Sequence, residues 1–187
     1  MKKILIAAAV GMLVAGQVAA QESPWLVRAR AVQLNMSNND NTGLDAAVND
    51  KWIPEVDVSY FFNKNVAAEL VLTVPQKQHV YVAGSDIGTF KHLPPTLLAQ
   101  YHFTNFAGFK PYVGAGLNFT KIAREQMTAG VSSVTLSNNS AGAAFQAGVD
   151  IPLNKQLSLN FDVKKIQIKS HVYVGGADQG TLKLDPV

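Results

Sequence analysis

Seven stretches of this chain alternate between apolar and polar residues with a period of two, and this pattern restricts the possible folds more than any other feature. Each stretch is nine or ten residues long and lacks the i, i+3, i+4 spacing of apolar residues that an amphipathic helix requires. Strands of this length span a bilayer when they are tilted. The seven predicted strands are 25–34, 53–61, 66–74, 95–103, 111–119, 142–151 and 156–164.

The connections between these strands alternate in length. Short links of turn-forming residues follow the second, fourth and sixth strands, and long connections lie at 35–52, 75–94, 120–141 and 165–181. Short turns at one end and long loops at the other are typical of outer-membrane barrels, with both termini at the short-turn, periplasmic end. That arrangement requires an even number of strands. We therefore predict an all-β, eight-stranded antiparallel up-and-down transmembrane barrel, whose last strand begins near Leu182 and is incomplete in this chain.

Residues 1–20 have the pattern of a secretory signal. Lys2 and Lys3 precede an apolar run at 4–14, and small residues at 15–20 end in a cleavage site after Ala20. The apolar run is too short to cross the hydrocarbon core as a helix. We expect cleavage there, which leaves 21–187 as one barrel domain in the outer membrane of a Gram-negative bacterium.

Composition excludes several classes of function. The chain has no cysteine, so it has no disulfide framework, thiolate metal site or Cys nucleophile. No run of basic residues predicts nucleic acid as a partner. Sequence motifs for catalysis and for phosphate-binding loops are absent, so we expect no catalytic residue, no enzyme activity and no cofactor. The oxygen-rich stretch 38–45 lacks the spacing of a calcium loop. The sequence spacing of the histidines does not indicate a metal site, and we interpret His79, His92 and His171 as solvated loop residues and His102 as bonded inside the lumen.

Charged residues on the polar faces of the strands predict a salt-bridged lumen, since eight strands enclose only enough space for side chains. Glycines and alanines share these faces and suit a crowded interior. A carboxylate pair at Glu55 and Asp57 is better explained by pairing with arginines than by catalysis. The predicted polar network comprises Arg28, Arg30, Glu55, Asp57, Glu69, Asp162 and Lys164, with Asp150 on the same face.

The second long connection is unusually apolar for an exposed loop, and so is the start of the second strand. One interpretation is an apolar vestibule that accepts hydrophobic solutes. The other is that the third and fourth strands extend above the membrane and pack together. The predicted vestibule residues are Trp52, Val80, Tyr81, Val82, Ile87, Phe90 and Leu93.

Two short segments resemble the hallmark region of the OmpW family: KHLPP at 91–95 and QYHF at 100–103. The strand at 111–116 and the segments at 162–165 and 184–186 are also similar, so the resemblance covers essentially all of 21–187 in the same order. It implies an eight-stranded barrel in a Gram-negative outer membrane. It also implies passage of small hydrophobic molecules through a narrow lumen with an apolar pocket near its extracellular end.

The resemblance differs at the end of the chain. Members of that family continue after the Asp-Pro pair with a final strand that ends in an aromatic residue, and this residue is thought to be read by the outer-membrane assembly machinery. The sequence here stops at Val187. We therefore expect the eighth strand to be represented by only about six residues, from Leu182 onward.

Three functions fit these features. The first is a conduit in which small hydrophobic molecules enter the vestibule and, because the lumen is plugged, leave sideways between strands into the lipid. The second is a surface protein for adhesion, or a phage or bacteriocin receptor, whose loops are the active part. The third is a soluble, lipocalin-like binder with its apolar face inward. We expect outer-membrane lipid, hydrophobic solutes and the assembly machinery as partners. The sequence does not indicate the oligomeric state.

Overall fold

The computed structural model describes residues 9–12, 23–129, 132–137, 139–154 and 157–187, with only the backbone at 9–12, 39, 123–129 and 132–133. All regular elements in these ranges are strands. No helix in the described ranges is long and apolar enough to cross a membrane. The strands are β1 (Ala9–Met12), β2 (Trp25–Leu34), β3 (Asn39–Asp40), β4 (Ala46–Val48), β5 (Lys51–Phe61), β6 (Val66–Thr73), β7 (Gln76–Val82), β8 (Ser85–Leu93), β9 (Thr96–His102), β10 (Lys110–Ala129), β11 (Ser132–Leu136), β12 (Asn139–Pro152), β13 (Ser158–Ile166), β14 (Lys169–Val174) and β15 (Ala177–Lys183).

Seven of these strands form the barrel wall in the order β2-β5-β6-β9-β10-β12-β13, and each pairs antiparallel with the next. They correspond one to one to the seven strands predicted from alternation. The prediction of an all-β up-and-down barrel is confirmed. Strand β10 continues ten residues beyond the predicted end at Phe119, because its upper half pairs with β8 and β11.

The eighth position, between β13 and β2, is filled by two separate segments. In the half of the barrel nearer the short turns, which we call the lower half, β1 pairs with β13, with Ala9 opposite Asp162. Above, the backbone N–H of Ile166 donates to the carbonyl of Pro186 at 3.0 Å, and Val187 exchanges two hydrogen bonds of 3.0 Å with Asn35. The chain therefore returns to the barrel after β15, and it bonds to both neighbouring segments from Leu184 onward, close to the predicted start near Leu182. Most of the predicted signal segment lies outside the described residues.

The long connections form a ring of hairpins above the barrel, which we call the crown. It consists of β3 and β4, β7 and β8, the upper half of β10 with β11, and β14 and β15. Each hairpin pairs with the next through β4–β7, β8–β10, β11–β14 and β15–β3. The second sequence interpretation of 75–94 is thus seen in the structure, because β7 and β8 extend the third and fourth barrel strands as a paired hairpin.

The outer face of the barrel is apolar, and the inner face is polar in the lower half. A row of leucines, Leu70, Leu97 and Leu117, runs across three adjacent strands on the outside. Near the lower end, Trp25 packs edge-on against Tyr60 at 4.8 Å between ring centroids. Apolar residues outside and charges inside are the reverse of a soluble binder, so the structure contradicts the lipocalin-like alternative.

Candidate functional site

Arg28 is the centre of a charged network that fills the lower lumen. Its guanidinium lies 3.1 Å from Asp57 Oδ1 and 2.8 Å from Asp150 Oδ2, and 3.4 Å from Glu69 Oε1. Strand alternation turns these four side chains inward from four different strands. Arg28 has no exposed surface, so its charge is stable there only because these carboxylates surround it.

A second group of ion pairs lies one step above the first. Arg30 contacts Glu55 at 2.9 Å and also pairs with Asp57. Lys164 Nζ donates to the same Glu55 carboxylate at 2.9 Å and lies 3.7 Å from Asp162. All seven residues predicted for the lumen network therefore lie together, with Asp150 as an eighth member, and three cations face five carboxylates.

Aromatic and amide side chains close the bottom of the network; the predicted network did not include them, although His102 was expected to bond inside the lumen, as it does with Gln100 at 3.0 Å. Tyr112 Oη donates to Asp162 at 2.7 Å and accepts from Asn160 Nδ2 at 3.0 Å. The guanidinium of Arg28 lies over the Tyr112 ring, 5.2 Å from its centroid, and the His102 ring stacks on it at 4.9 Å. The lower lumen is therefore occupied by side chains that bond to one another.

A glycine makes room for this ring. Gly148 stands directly opposite Tyr112 on β12, and a Cβ atom there would come within 2.4 Å of the ring. In the sequence, the only indication that a large ring lies here was the row of small residues on the inner face of the sixth predicted strand. They indicated a crowded lumen without indicating which large side chain they faced.

Above the network, apolar side chains from every side of the interior form one buried cluster, which we call the inner apolar cluster. Its lower members come from barrel strands and its upper members from the crown. Its members are Ala46, Val48, Val71, Val80, Phe90, Leu98, Ile122, Val134, Leu136, Ala144, Ile166, Ile168, Val172, Leu182 and Leu184. The interior thus changes from charged to apolar between the periplasmic and extracellular ends.

Four of the seven predicted vestibule residues belong to this region. Val80 and Phe90 are buried within the cluster, and Val82 and Ile87 are partly buried against it. Tyr81 is half-buried and is not a member of the cluster.

Trp52 and Leu93 do not line the interior, which corrects their predicted placement. Trp52 is 56% exposed and Leu93 is 36% exposed. Their neighbours Ile53 and His92 point inward and are buried, so the period of two turns both predicted residues outward. Sequence analysis also missed Leu98, which lies on a face predicted to be polar, and Ile122, which lies in the predicted long connection 120–141.

Polar side chains interrupt the cluster on one side, where Thr96 stands in register with Val71 and lies just above Leu98 on β9. Asn118 Nδ2 donates to Thr96 Oγ1 at 2.9 Å, and Thr120 Oγ1 donates to Asn118 Oδ1 at 2.6 Å. In the crown, His92 packs 5.7 Å from the ring of Phe90. Burial, together with the positive charge of Lys51, lowers the pKa of His92 to about 4, so its imidazole is neutral near pH 7.

The remaining candidates for metal binding have structural roles. Within the described residues, no group of three or more His, Asp or Glu side chains is close enough to hold a metal ion. Asp40 in the oxygen-rich loop accepts bonds from Thr42 and from the backbone N–H of Ala46. His79 and His171 each bond to one aspartate, Asp86 at 2.7 Å and Asp178 at 3.1 Å.

An antiparallel barrel with an apolar outer face and a charged, internally paired lumen is the structure of an outer-membrane β-barrel protein. The chain belongs to the OmpW family, whose model matches residues 15–187. Its relatives are named as outer-membrane proteins of Gram-negative bacteria, and this chain is such a protein, embedded in the lipid bilayer of the outer membrane.

Two relatives and one solved structure illustrate the similarity. The uncharacterized outer-membrane protein y4mB of Sinorhizobium fredii (strain NBRC 101917 / NGR234) is 41% identical over 179 residues, which cover 90% of this chain and 78% of that protein. Outer membrane protein W of Escherichia coli (strain K12) is 32% identical over 202 residues, covering 100% and 95%. The crystal structure of OprG from Pseudomonas aeruginosa matches with a TM-score of 0.67 at 23% identity, covering 96% and 87%, and this likeness supports the fold alone.

Proposed function

We propose that this protein is a narrow conduit through which small hydrophobic molecules cross the outer membrane from the extracellular side. The observation that carries the proposal is the inner apolar cluster, which lies at the extracellular end and receives side chains from all sides of the interior. An apolar molecule gains roughly 25 cal/mol for each Å² of its surface that leaves water for such surroundings.

The ionic network determines the direction of exit in this proposal. An apolar solute that moved down the lumen would have to separate Arg28 from Asp57 and Asp150, which are buried charges with no water to replace their partners. Exit between strands into the lipid needs no such separation. We therefore propose that solutes leave sideways, above the network.

The proposal also includes the export route. Residues 1–20 act as a signal that is removed after Ala20, so β1 is absent from the mature protein, and the barrel formed by 21–187 is inserted by the outer-membrane assembly machinery. The apolar outer face, including the leucine row at Leu70, Leu97 and Leu117, supports insertion into lipid. Catalysis has no part in this function, and no cofactor is needed for it.

The test is a titration of the refolded protein in detergent with the apolar fluorophore N-phenyl-1-naphthylamine. Heat-modifiable migration on a gel first establishes that the barrel is folded. Saturable binding is expected, and Phe90→Gln should weaken it at least tenfold because it places an amide in the inner apolar cluster. Phe90→Leu, which keeps the position apolar, should bind nearly as well as the unchanged protein.

Trp52→Gln is the matched control, since Trp52 is an aromatic residue that is exposed on the outer face. It should leave the affinity unchanged. Loss of binding in Trp52→Gln, or unchanged binding in Phe90→Gln, would place the ligand outside the barrel and contradict the conduit.

The second candidate function is a surface receptor or adhesin without transport. The observation that favours it is the crown itself, because its exposed turns are presented on a hydrogen-bonded ring. A receptor would tolerate Phe90→Gln and would lose function when the hairpin tip at 82–85 is replaced by a short turn. A conduit would show the opposite pattern.

A further inference from the structure

Two hairpins of the crown are copies of one another in sequence and in structure. Residues 77–91 and 169–183 align without gaps and are identical at ten of fifteen positions. Both hairpins carry the same irregularity in their pairing, after Val80 and after Val172. Both also bridge their strands with a histidine–aspartate pair. They lie on opposite sides of the ring, with the β10–β11 hairpin between them on one side and β3 and β4 on the other.

Each copy holds two lysines directly opposite one another. Lys77 pairs in register with Lys91 in the first copy, and Lys169 with Lys183 in the second. Their neighbours in sequence, such as Gln78 and Leu182, point inward and are buried, so all four lysines point outward. Like charges in directly opposed positions destabilise a sheet, so a partner outside the hairpin is needed to offset them.

Within the described side chains none of these four lysines forms an ion pair, although Lys183 lines a polar pocket that also contains Asp40 and Asp45. Asp86 and Asp178 are the acidic residues of the two hairpins. Each bonds to its histidine, and each accepts the backbone N–H of a glycine two residues later. These bonds, first that from Gly88 and then that from His79, lower the pKa of the Asp86 carboxyl. The acidic groups are therefore held at the hairpin tips.

Two further lysines show where the four opposed lysines lie relative to the lipid. Lys121 stands opposite the exposed side chain of Leu93, and Lys165 stands opposite the exposed ring of Phe145. The lysines thus border the upper edge of the apolar outer face. In a membrane protein this edge lies at the lipid headgroups, where long basic side chains place their charges.

We propose that each copy of the hairpin binds a phosphate group of an outer-leaflet lipid between its two lysines. A phosphate supplies the negative charge that the opposed lysines lack, and lysine ammonium groups bind phosphate as compact point charges. The same outer face adds a histidine and a threonine next to each lysine pair, His79 with Thr89 and His171 with Thr181. The protein therefore carries two equivalent lipid sites on opposite sides of the crown.

This inference rests on the outer-membrane location and on the hairpin geometry, and it does not depend on transport. The test uses the full chain folded in the neutral detergent dodecyl maltoside, with diphosphoryl lipid A as the probe. Native mass spectrometry then counts the lipid molecules that each protein retains. The unchanged protein should retain two, and the variants Lys77→Gln/Lys91→Gln and Lys169→Gln/Lys183→Gln should each retain one.

The variant with all four substitutions should retain none. A matched control changes Lys64→Gln and Lys110→Gln, which are exposed at the opposite, short-turn end of the barrel, and should retain two. Heat-modifiable migration verifies that every variant is folded, and exposed lysines facing solvent or lipid headgroups should not be needed for folding.

Three results would overturn the proposal. The first is retention of two lipids by the fourfold variant. The second is equal retention of lipid A from which both phosphates have been removed. The third is displacement of the lipid by inorganic phosphate at about ten times the concentration of lipid, which would assign the sites to a soluble anion instead.

Discussion

At the scale of single residues, Arg28 is the group on which the lower lumen most depends. It is buried and contacts three carboxylates from three other strands. Arg28→Met should lower the free energy of unfolding by about 3–5 kcal/mol, because it removes the cation that pairs with Asp150 and leaves Asp57 and Glu69 to share Arg30. Urea titration in detergent, followed by heat-modifiable migration, measures this change. Lys110→Met, at an exposed position, should change it by less than about 0.5 kcal/mol.

Arg28→Lys separates charge from geometry in the same experiment. A lysine keeps the positive charge but cannot bridge Asp57 and Asp150 at once, so the loss should be intermediate. A loss below about 1 kcal/mol in Arg28→Met would show that the carboxylates are neutralised in another way.

His92 predicts a pH dependence of stability. Its pKa is about 4 in the folded protein and near the ordinary value of 6.5 in the unfolded chain, so between these values the unfolded chain binds more protons. The free energy of unfolding should therefore fall as the pH is lowered from 6.5 to 4. Because carboxylates also titrate in this range, the measured quantity is the difference between the unchanged protein and His92→Gln. That difference should be constant above pH 7 and should change as the pH falls from 6.5 to 4, whereas a difference that is independent of pH over the whole range would contradict the assignment.

Sequence predicted the lumen residues well and the apolar ones less well, for a physical reason that Arg28 and Trp52 illustrate. A charged residue in a barrel strand has only one suitable direction, because lipid excludes it from the other face. An apolar residue near the rim has two, because Trp52 outside and Phe90 inside both avoid water. The charge of Arg28 therefore determined its direction, whereas the direction of Trp52 required the alternation of β5 to be extended beyond the predicted start at Ile53.

At the scale of elements, the two copied hairpins should be exchangeable. Replacing residues 77–91 by the sequence of 169–183 keeps a glycine at positions 84 and 88, the bulge and the histidine–aspartate bridge. It places leucine at the position of Phe90, which is fully buried, so a loss of about 1–3 kcal/mol is expected while the barrel still folds. Urea unfolding and heat-modifiable migration measure both quantities.

The comparison chain for this exchange carries the same fifteen residues in scrambled order. It should fold poorly or lose the pairing of β7 with β4 and β8. If the exchanged and scrambled chains behaved alike, the resemblance between the hairpins would have no structural meaning.

The crown was the part of the fold that the sequence left open. Alternation continues through 77–82, and Gly84 follows where a hairpin turns, so a β7–β8 hairpin could have been predicted. The ring could not, because each of its closures joins segments far apart in the chain, such as Val48 with Val80 and Leu182 with Asp40. Such pairings depend on the barrel below, which brings the hairpins side by side.

At the scale of the whole molecule, the outer leucine row should be the part of the surface most sensitive to charge. Leu97 lies between Leu70 and Leu117, so Leu97→Lys places an ammonium group in the middle of the apolar face. The free energy of folding into lipid vesicles should become less favourable by about 2–4 kcal/mol. Reversible urea unfolding in vesicles measures it.

Leu93→Lys is the control for this effect of depth, because Leu93 stands opposite Lys121 at the upper edge. It should change folding by about 0–1 kcal/mol. Equal effects of the two substitutions would mean that the bilayer does not lie where the exposed apolar residues indicate.

The closed ring of the crown has a practical consequence for the surface of the cell. At Gly43, Gly84, Gly175 and Gly176, all in turns, an added Cβ atom would meet no other atom within 4 Å. A foreign peptide inserted into one of these turns would be attached to the crown, whose hairpins are hydrogen-bonded to one another, and not to the barrel wall. The chain is thus a natural carrier for displaying epitopes or enzymes on living bacteria, with several independent attachment points on one small protein.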